Sequence, residues 1–260
     1  MIRVGIGGWN FPEWRGTFYP KGLPQAQELH HASRALTSIE INGTFYRTPN
    51  AESFRKWASE VPDGFVFSIK GPMSVVGKGV LAEAGPAIER FFSSGVLDMG
   101  DKLGPFFWQF APTKKFNPED VAAFFAMLPK EAKGVKLRHA VEARHESFVT
   151  PAFVDLARKH GVAIVLVDSE KHPLFADVTS DFTYLRLQRT DQKIATGYKP
   201  ADIKKWASRA KAWDGGGAPD DLKPIGKAAA KKKRDVFVYF ISGAKVRAPA
   251  AAQALIKQLA

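Results

Sequence analysis

A single α/β domain, a TIM-like (β/α)8 barrel over residues 1–260, is the fold class this sequence predicts. Three observations predict it. Eight short runs rich in Val, Ile and Phe recur along the chain, as buried parallel strands require. Most are followed by a helix-like run, and this alternation favours a closed barrel over a doubly wound open sheet. The length of 260 residues is what such a barrel ordinarily takes.

In order, the strands fall near residues 3–7, 38–41, 65–70, 106–110, 139–143, 163–168, 182–187 and 236–240. The run 163–167 is apolar throughout and demands cover on both faces. The first strand leads into Gly5, Ile6, Gly7 and Gly8, which could pass for a dinucleotide loop. Trp9, Asn10, Phe11 and Pro12 follow where a helix should start, and no G-x-G-x-x-G exists, so that fingerprint is rejected.

The helices carry recognisable starts. Asn50 can cap a segment ending near Glu60, with Ser53 three positions on. Asn117, Pro118, Glu119 and Asp120 place a cap, a first-turn proline and two acids before an apolar stretch to Leu128. Thr150 and Pro151 do the same for a helix to His160, which Gly161 stops. Weaker helical patterns lie at 25–35, 87–97, 203–213 and 250–259, and 169–179 holds at most a short helix. No internal repeat or domain linker is visible.

Composition bounds the function classes. An apolar content of 45% suffices for a large core. The absence of cysteine excludes disulfides, thiolate metal sites and a cysteine nucleophile. The chain opens on a strand-like segment with no signal-like region, and no apolar run approaches the roughly 18 residues of a membrane helix. A soluble, cytoplasmic protein with no membrane partner is expected. The net charge of +12 invites a nucleic-acid reading, but ten basic residues against three acids in 204–234 account for +7 of it. With Gly215, Gly216, Gly217 and Pro219, residues 214–234 read as a flexible basic loop. A loop entering the last strand lies on the N-terminal face, so it reads as a solvated surface first and a nonspecific polyanion contact second.

A barrel binds its ligand at the C-terminal strand ends. Those ends hold Trp9, Glu40 with Asn42, Lys70, Gln109, Glu142 with Arg144 and His145, Asp168, Arg186 with Gln188, and Tyr239 with Ser242. Every strand but the first finishes on a polar group after mostly apolar residues, which is hard to attribute to chance solvation.

These residues carry a resemblance. Gly7, Gly8 and Trp9, then Glu40 through Tyr46, then Lys70, Gly71 and Pro72 resemble the signature of domain-of-unknown-function family 72, the YecE-like proteins. Residues 103–112, 141–148 and 184–187 match further blocks in the same order, across nearly the whole chain. The resemblance implies a TIM-like barrel without an established activity, distantly similar to the xylose isomerase and endonuclease IV barrels. Three departures stand out: Gly43 where the family usually has Ser, Gln188 and Arg189 where it has His–Gly, and residues 241–245 where it has an Asn-rich turn. The last two fall at strand ends, so the ligand can differ from that of other members.

Glu40, Glu142 and Asp168 suit a divalent metal such as Mg2+ or Mn2+. Lys70, Arg144 and Arg186 would equally neutralise them, so the expectation is no metal and no other cofactor. Arg144 and Arg186 have the fork that grips phosphate or carboxylate, with structural ion pairing as the competing reading. Lys70 could form a Schiff base if buried among cations, and His145 could act as acid or base beside Glu142 or Glu146. Ser242, Gly243 and Lys245 form a turn that could cradle phosphate. Trp9 and Tyr46 could stack a ring, although the aromatics at 9–19 also need a small core of their own.

Three functions follow. The first is an enzyme (a hydrolase, isomerase or lyase) acting on a small anionic or phosphorylated, sugar-like substrate. Its catalytic candidates are Glu142, His145, Glu40, Asp168 and Lys70. Its ligand contacts are Trp9, Asn42, Tyr46, Gln109, Arg144, Arg186, Gln188, Tyr239, Ser242 and Lys245. The second is a nucleic-acid-binding or phosphodiesterase-like barrel. The third is a barrel that binds a ligand or partner without catalysis.

Overall fold

Side-chain alternation along the strands creates two cores, one inside a closed barrel and one between the barrel and its helices. The computed structural model describes residues 1–77 and 79–260. The first four barrel strands are β1 (Ile2–Gly7), β2 (Ser38–Ile41), β3 (Val66–Lys70) and β4 (Leu103–Gln109). A small antiparallel hairpin of β5 (Glu131–Ala132) and β6 (Val135–Lys136) follows. The barrel then continues with β7 (His139–Glu142), β8 (Ala163–Asp168), β9 (Phe182–Leu187) and β10 (Asp235–Phe240). All eight barrel strands are parallel and the sheet closes when β1 pairs with both β2 and β10.

The outer layer is α1 (Glu28–Ala35), α2 (Ala51–Glu60), the single turn α3 (Met73–Val76), α4 (Gly85–Phe92), α5 (Pro118–Met127), α6 (Pro151–His160), α7 (Pro200–Asp214) and α8 (Ala248–Leu259). The expected caps form. The Asn50 side chain accepts from the Ser53 amide at 3.0 Å and Asn117 from the Asp120 amide at 2.9 Å. Gly161 ends α6 at φ 70°, a left-handed conformation open to glycine without a Cβ penalty. No helix is described between β8 and β9, where 169–181 runs as a loop.

The inner core holds Val66, Phe107, Ala140, Ala163, Val165, Val167, Phe182, Tyr184, Phe237, Tyr239 and Ile241. Two glycines permit close packing, Gly5 between neighbouring strands and Gly71 against the outer core. A Cβ on Gly5 would lie 1.9 Å from the Ser38 carbonyl oxygen, and one on Gly71 would lie 2.1 Å from the Trp108 ring. Both substitutions require something to move.

Two boundaries differ from expectation for a visible reason. Strand β4 begins at Leu103 and carries Gly104 and Pro105, with a register shift against β3 between Phe67 and Ile69. The irregularity admits a proline that a regular central ladder would exclude. The helix expected over 87–97 ends at Phe92, because the chain turns through Gly95 at φ 94°, where a Cβ would strike Ala51. The basic stretch after α7 is fastened to the body. Arg234 is buried and donates to the Gly216 and Gly217 carbonyls, and the Asp177 carboxylate accepts from the Ile225 and Gly226 amides. Lys232, Lys233 and Arg234 share a hollow with Met1 and Asp235, at the start of β1 and β10, which is the N-terminal end of the barrel. Among the described residues, no helix is long and apolar enough to cross a membrane.

Candidate functional site

The mouth is built from the inward-facing residues at the strand ends. Parity selects Glu40 on β2, Lys70 on β3, Gln109 on β4, Glu142 on β7 and Arg186 on β9, with Arg144 just beyond β7. Arg186 is their centre. Its Nε and Nη2 donate to the two Glu40 oxygens at 3.2 and 3.1 Å, and its Nη1 donates to Glu142 Oε2 at 2.5 Å. The guanidinium lies 4.5 Å over the Phe107 ring. Burial alone would push Arg186 down, but Glu142 and Glu40 more than offset it and raise the pKa above its ordinary value.

Glu142 is wholly buried and wholly satisfied. Its Oε1 accepts from Gln109 Nε2 at 2.9 Å and from Arg144 Nε at 2.5 Å, while Arg186 takes Oε2. Burial pushes this carboxyl up, yet Arg186 and Arg144 overcome it and hold it down at about 2. It is therefore ionised throughout the physiological range and has no proton to deliver. Glu40 is equally buried and also accepts from the Tyr184 hydroxyl at 2.6 Å.

The other side chains sort by position. Lys70 Nζ donates to Gln109 Oε1 at 2.9 Å and lies 4.1 Å from the centre of the Phe45 ring. Burial and then Arg186 lower its pKa to about 8. Arg144 uses only Nε among the described residues, leaving both terminal nitrogens without a protein acceptor, and its side chain is 21% exposed. Asn42 donates to the Glu40 carbonyl at 3.3 Å and stays half-buried at the rim. Gln188 follows Arg186 on the same face and has a buried Nε2 without a partner.

Several expected contacts sit elsewhere. Asp168 follows Val167, the inward residue of β8, so its carboxylate points out of the barrel. There it accepts from the Tyr198 hydroxyl at 2.9 Å and lies 3.8 Å from Arg189. Burial raises its pKa despite both partners. A cleft of about 450 Å3 adjoins it on this outer side, between Arg189, Lys205, Trp206 and Arg209. Tyr239 is an interior residue whose hydroxyl meets Ser38 Oγ at 2.7 Å, low in the barrel. Trp9 leaves the mouth to pack against Trp57 and Phe67, and Tyr46 is 83% exposed with its ring edge-on to Phe45. Lys245 lies 4.4 Å over Phe11 while its carbonyl accepts from Trp14 Nε1, so it faces the strand-one loop. Trp14 and Tyr19 are fully buried there and form that loop's own core. Ser242 is exposed at φ 67°, and its carbonyl accepts from Thr190.

His145 has a local duty. Its Nδ1 accepts from the Ser147 amide at 3.1 Å, which places the ring proton on Nε2 and caps the 3₁₀ turn Glu146–Phe148. His172 was missed by sequence reasoning. It lies in the loop after β8, half-buried, with a buried Nδ1 that has no partner among the described residues. Burial and then Arg144 lower its pKa, so its ring is neutral at pH 7. The signal available was its place in the long loop that leaves β8.

The three carboxylates whose type suits a divalent metal do not converge, since Arg186 stands between Glu40 and Glu142 and Asp168 points away. Among the described residues, no group of three or more His, Asp or Glu side chains could hold a metal ion. With Asp168 gone from the ring, three cations face two carboxylates, and the inward charge is positive rather than balanced.

The model of the family described as protein of unknown function DUF72 matches residues 3–260. The UPF0759 protein YecE of Escherichia coli K12 is 25% identical over 151 residues, which are 57% of this chain and 50% of YecE. The UPF0759 protein YunF of Bacillus subtilis 168 is 24% identical over 160 residues, 60% of this chain and 55% of YunF. These matches span about half the length of both relatives. The crystal structure of a DUF72 family protein from Thermotoga maritima superposes with a TM-score of 0.74 at 24% identity, covering 100% of this chain and 99% of that one. SacUVDE superposes with a TM-score of 0.53 at 9% identity over 99% of each chain, a likeness of fold alone.

Proposed function

This chain belongs to the DUF72 family, and on that premise we propose that it is an enzyme acting on a small anionic substrate, a carboxylate or a phosphate ester, at the barrel mouth. The observation that carries the reading is Arg144. Its terminal nitrogens are unclaimed at the rim of a ring whose inward charge is positive, and guanidinium forks match carboxylate and phosphate bidentately. Among the described residues the Nε2 of Gln188, two positions after Arg186, also lacks a partner, although it is buried. Arg186 is not the clamp, because both buried carboxylates already occupy it.

The acid–base work falls on different groups from those the sequence favours. Glu142, held near 2, acts as a fixed negative charge that orients Arg144 and Gln109. Lys70, near 8, exchanges a proton in the useful range, and the ring of His172, kept neutral by burial, offers a base. The basic stretch at the opposite end of the barrel takes no part in this reading.

The test is stabilisation by ligand. Inorganic phosphate, small carboxylates and sugar phosphates are titrated at low ionic strength while the melting temperature is followed. An anion present at a hundred times its Kd stabilises by about 2.7 kcal/mol. The Arg144→Ala protein, in which Glu142 keeps Arg186 and Gln109, should lose that response. No response to any anion in wild type, or an undiminished one in Arg144→Ala, would refute the reading.

A further inference from the structure

Two lysines of this chain expose little of their side chains, Lys102 near the outer surface beside two exposed acids and Lys70 deep in the barrel mouth, and they are treated in opposite ways. Lys102, 7% exposed, lies 3.1 and 3.4 Å from Asp63 and Asp101, and those acids raise its pKa. That is what a structural lysine needs, because a buried ammonium is costly without a carboxylate. Lys70, 9% exposed, has no ion pair among the described residues. Its hydrogen-bond partner is the neutral Gln109, and its other neighbours are the faces of Phe45 and Phe107 at 4.1 and 5.8 Å.

The arrangement around Gln109 keeps Lys70 out of a direct ion pair with the acids. Gln109 must turn its Nε2 to Glu142, which can only accept, so its Oε1 faces Lys70. A glutamate at 109 would instead pair with the ammonium. Burial disfavours the positive charge of Lys70 most, Arg186 and to a lesser degree Arg144 act in the same direction, and Glu40 and Glu142 only partly oppose them. The cover over Nζ is the Phe45 ring, carried on the single 3₁₀ turn Gly43–Phe45 beside the rim.

We propose that Lys70 is a covalent nucleophile, taking the carbonyl carbon of a small aldehyde or ketone that also bears a carboxylate or phosphate, and forming an imine with it. The charge of that substrate rests on the anion reading above. The amine chemistry rests on Lys70 alone. The nitrogen lone pair forms the new C–N bond while the carbonyl π electrons move to oxygen, which is protonated to a carbinolamine. The nitrogen then gives up its second proton, the hydroxyl leaves with a proton as water, and C=N forms. Nothing is oxidised or reduced. At pH 7 an amine titrating near 8 is roughly one-tenth neutral, against well under one part in a thousand for an ordinary lysine.

The experiment traps the imine on the wild-type chain, so it does not depend on a variant folding. The protein is incubated at pH 7 with pyruvate or glyoxylate, or with the uncharged acetaldehyde, and sodium cyanoborohydride. Reduced adducts are then located by peptide mass spectrometry. The expected result is that pyruvate and glyoxylate label Lys70 at least ten-fold faster than any surface lysine. Arg144→Ala should slow those two reagents far more than acetaldehyde, which feels only the small rise in the Lys70 pKa that losing this cation brings. Lys70→Met, with its fold checked by circular dichroism, should lose the adduct.

If Lys70 is labelled no faster than surface lysines by any reagent while anions still raise the melting temperature through Arg144, the nucleophile is overturned and the anion reading stands. If Lys70 is labelled preferentially by all three reagents with no dependence on Arg144, the amine is upheld and the anionic substrate is overturned.

Discussion

Replacing Arg186 by Met removes the one group that both buried carboxylates share. Glu142 would keep Arg144 and Gln109, whereas Glu40 would keep only the Tyr184 hydroxyl. Deleting one partner of a buried pair costs about 3–5 kcal/mol, and two pairs are lost together here, so a loss near the upper value is expected. Proton linkage gives a second measure of the share that belongs to Glu142. Its carboxyl sits at about 2 in the folded chain against an ordinary 4.5. A depressed acid contributes fully above its unfolded value and loses that contribution as pH falls through the folded one. Over that window the change is about 3 kcal/mol, most of which depends on Arg186 and Arg144. Urea unfolding followed by tryptophan fluorescence at pH 7 should show the loss in Arg186→Met. Adding Glu40→Gln should restore at least ~1 kcal/mol, because it removes the stranded charge. A loss below ~1 kcal/mol in the single variant would refute the claim that Arg186 holds the mouth together. So would a double variant no more stable than the single one.

Other parts of the chain give sharper local tests. Gly71→Ala drives a Cβ to 2.1 Å from the buried Trp108 ring; overpacking of this kind costs about 1–3 kcal/mol, read as a calorimetric melting temperature lower by roughly 3–10 °C. A change under ~1 °C would mean that the ring yields freely. His139 is held neutral by burial, with a pKa of about 4 against 6.5. Its contribution is present above 6.5 and lost as pH falls through 4, about 3 kcal/mol, so His139→Gln should flatten the urea midpoint across that window. An unchanged slope would contradict this. Asp177→Ala frees the Ile225 and Gly226 amides, so trypsin should cut after Lys227 and Lys231 several-fold faster, and an unchanged digestion pattern would show that other contacts suffice. His145→Ala removes a cap worth about 1 kcal/mol and, since the ring serves the Glu146–Phe148 turn, should leave any response to anions intact.

The barrel was readable because its signals are local. Val, Ile and Phe runs, the Asn50, Asn117 and Thr150 caps, and the stop at Gly161 each act within a few residues. The inward ring was readable by the same alternation, from Glu40 through Lys70, Gln109 and Glu142 to Arg186. Asp168 was misplaced because β8 is apolar on both faces, so composition could not reveal which parity points inward. Val167, one residue earlier, takes the inner position. Tyr239 was misplaced for a related reason: it is inward-facing but low in the barrel, and depth depends on stagger between strands. The consumption of Arg186 by two acids, like the proximity of His172 to Arg144, is a long-range fact that no local spacing encodes.

Beneath Arg186 the barrel is filled by aromatic rings. Phe107 stacks on Tyr184 at 5.5 Å, and Tyr184 meets Tyr239 at 5.1 Å and Phe237 at 6.3 Å. This floor gives the mouth a one-sided dielectric, dry below and wet above. Dissolved ions, which screen over about 8 Å at physiological strength, reach the charges only from the top. Salt therefore divides the ring by depth: it weakens what Arg144 attracts at the rim and leaves the Glu40–Arg186–Glu142 lattice almost untouched.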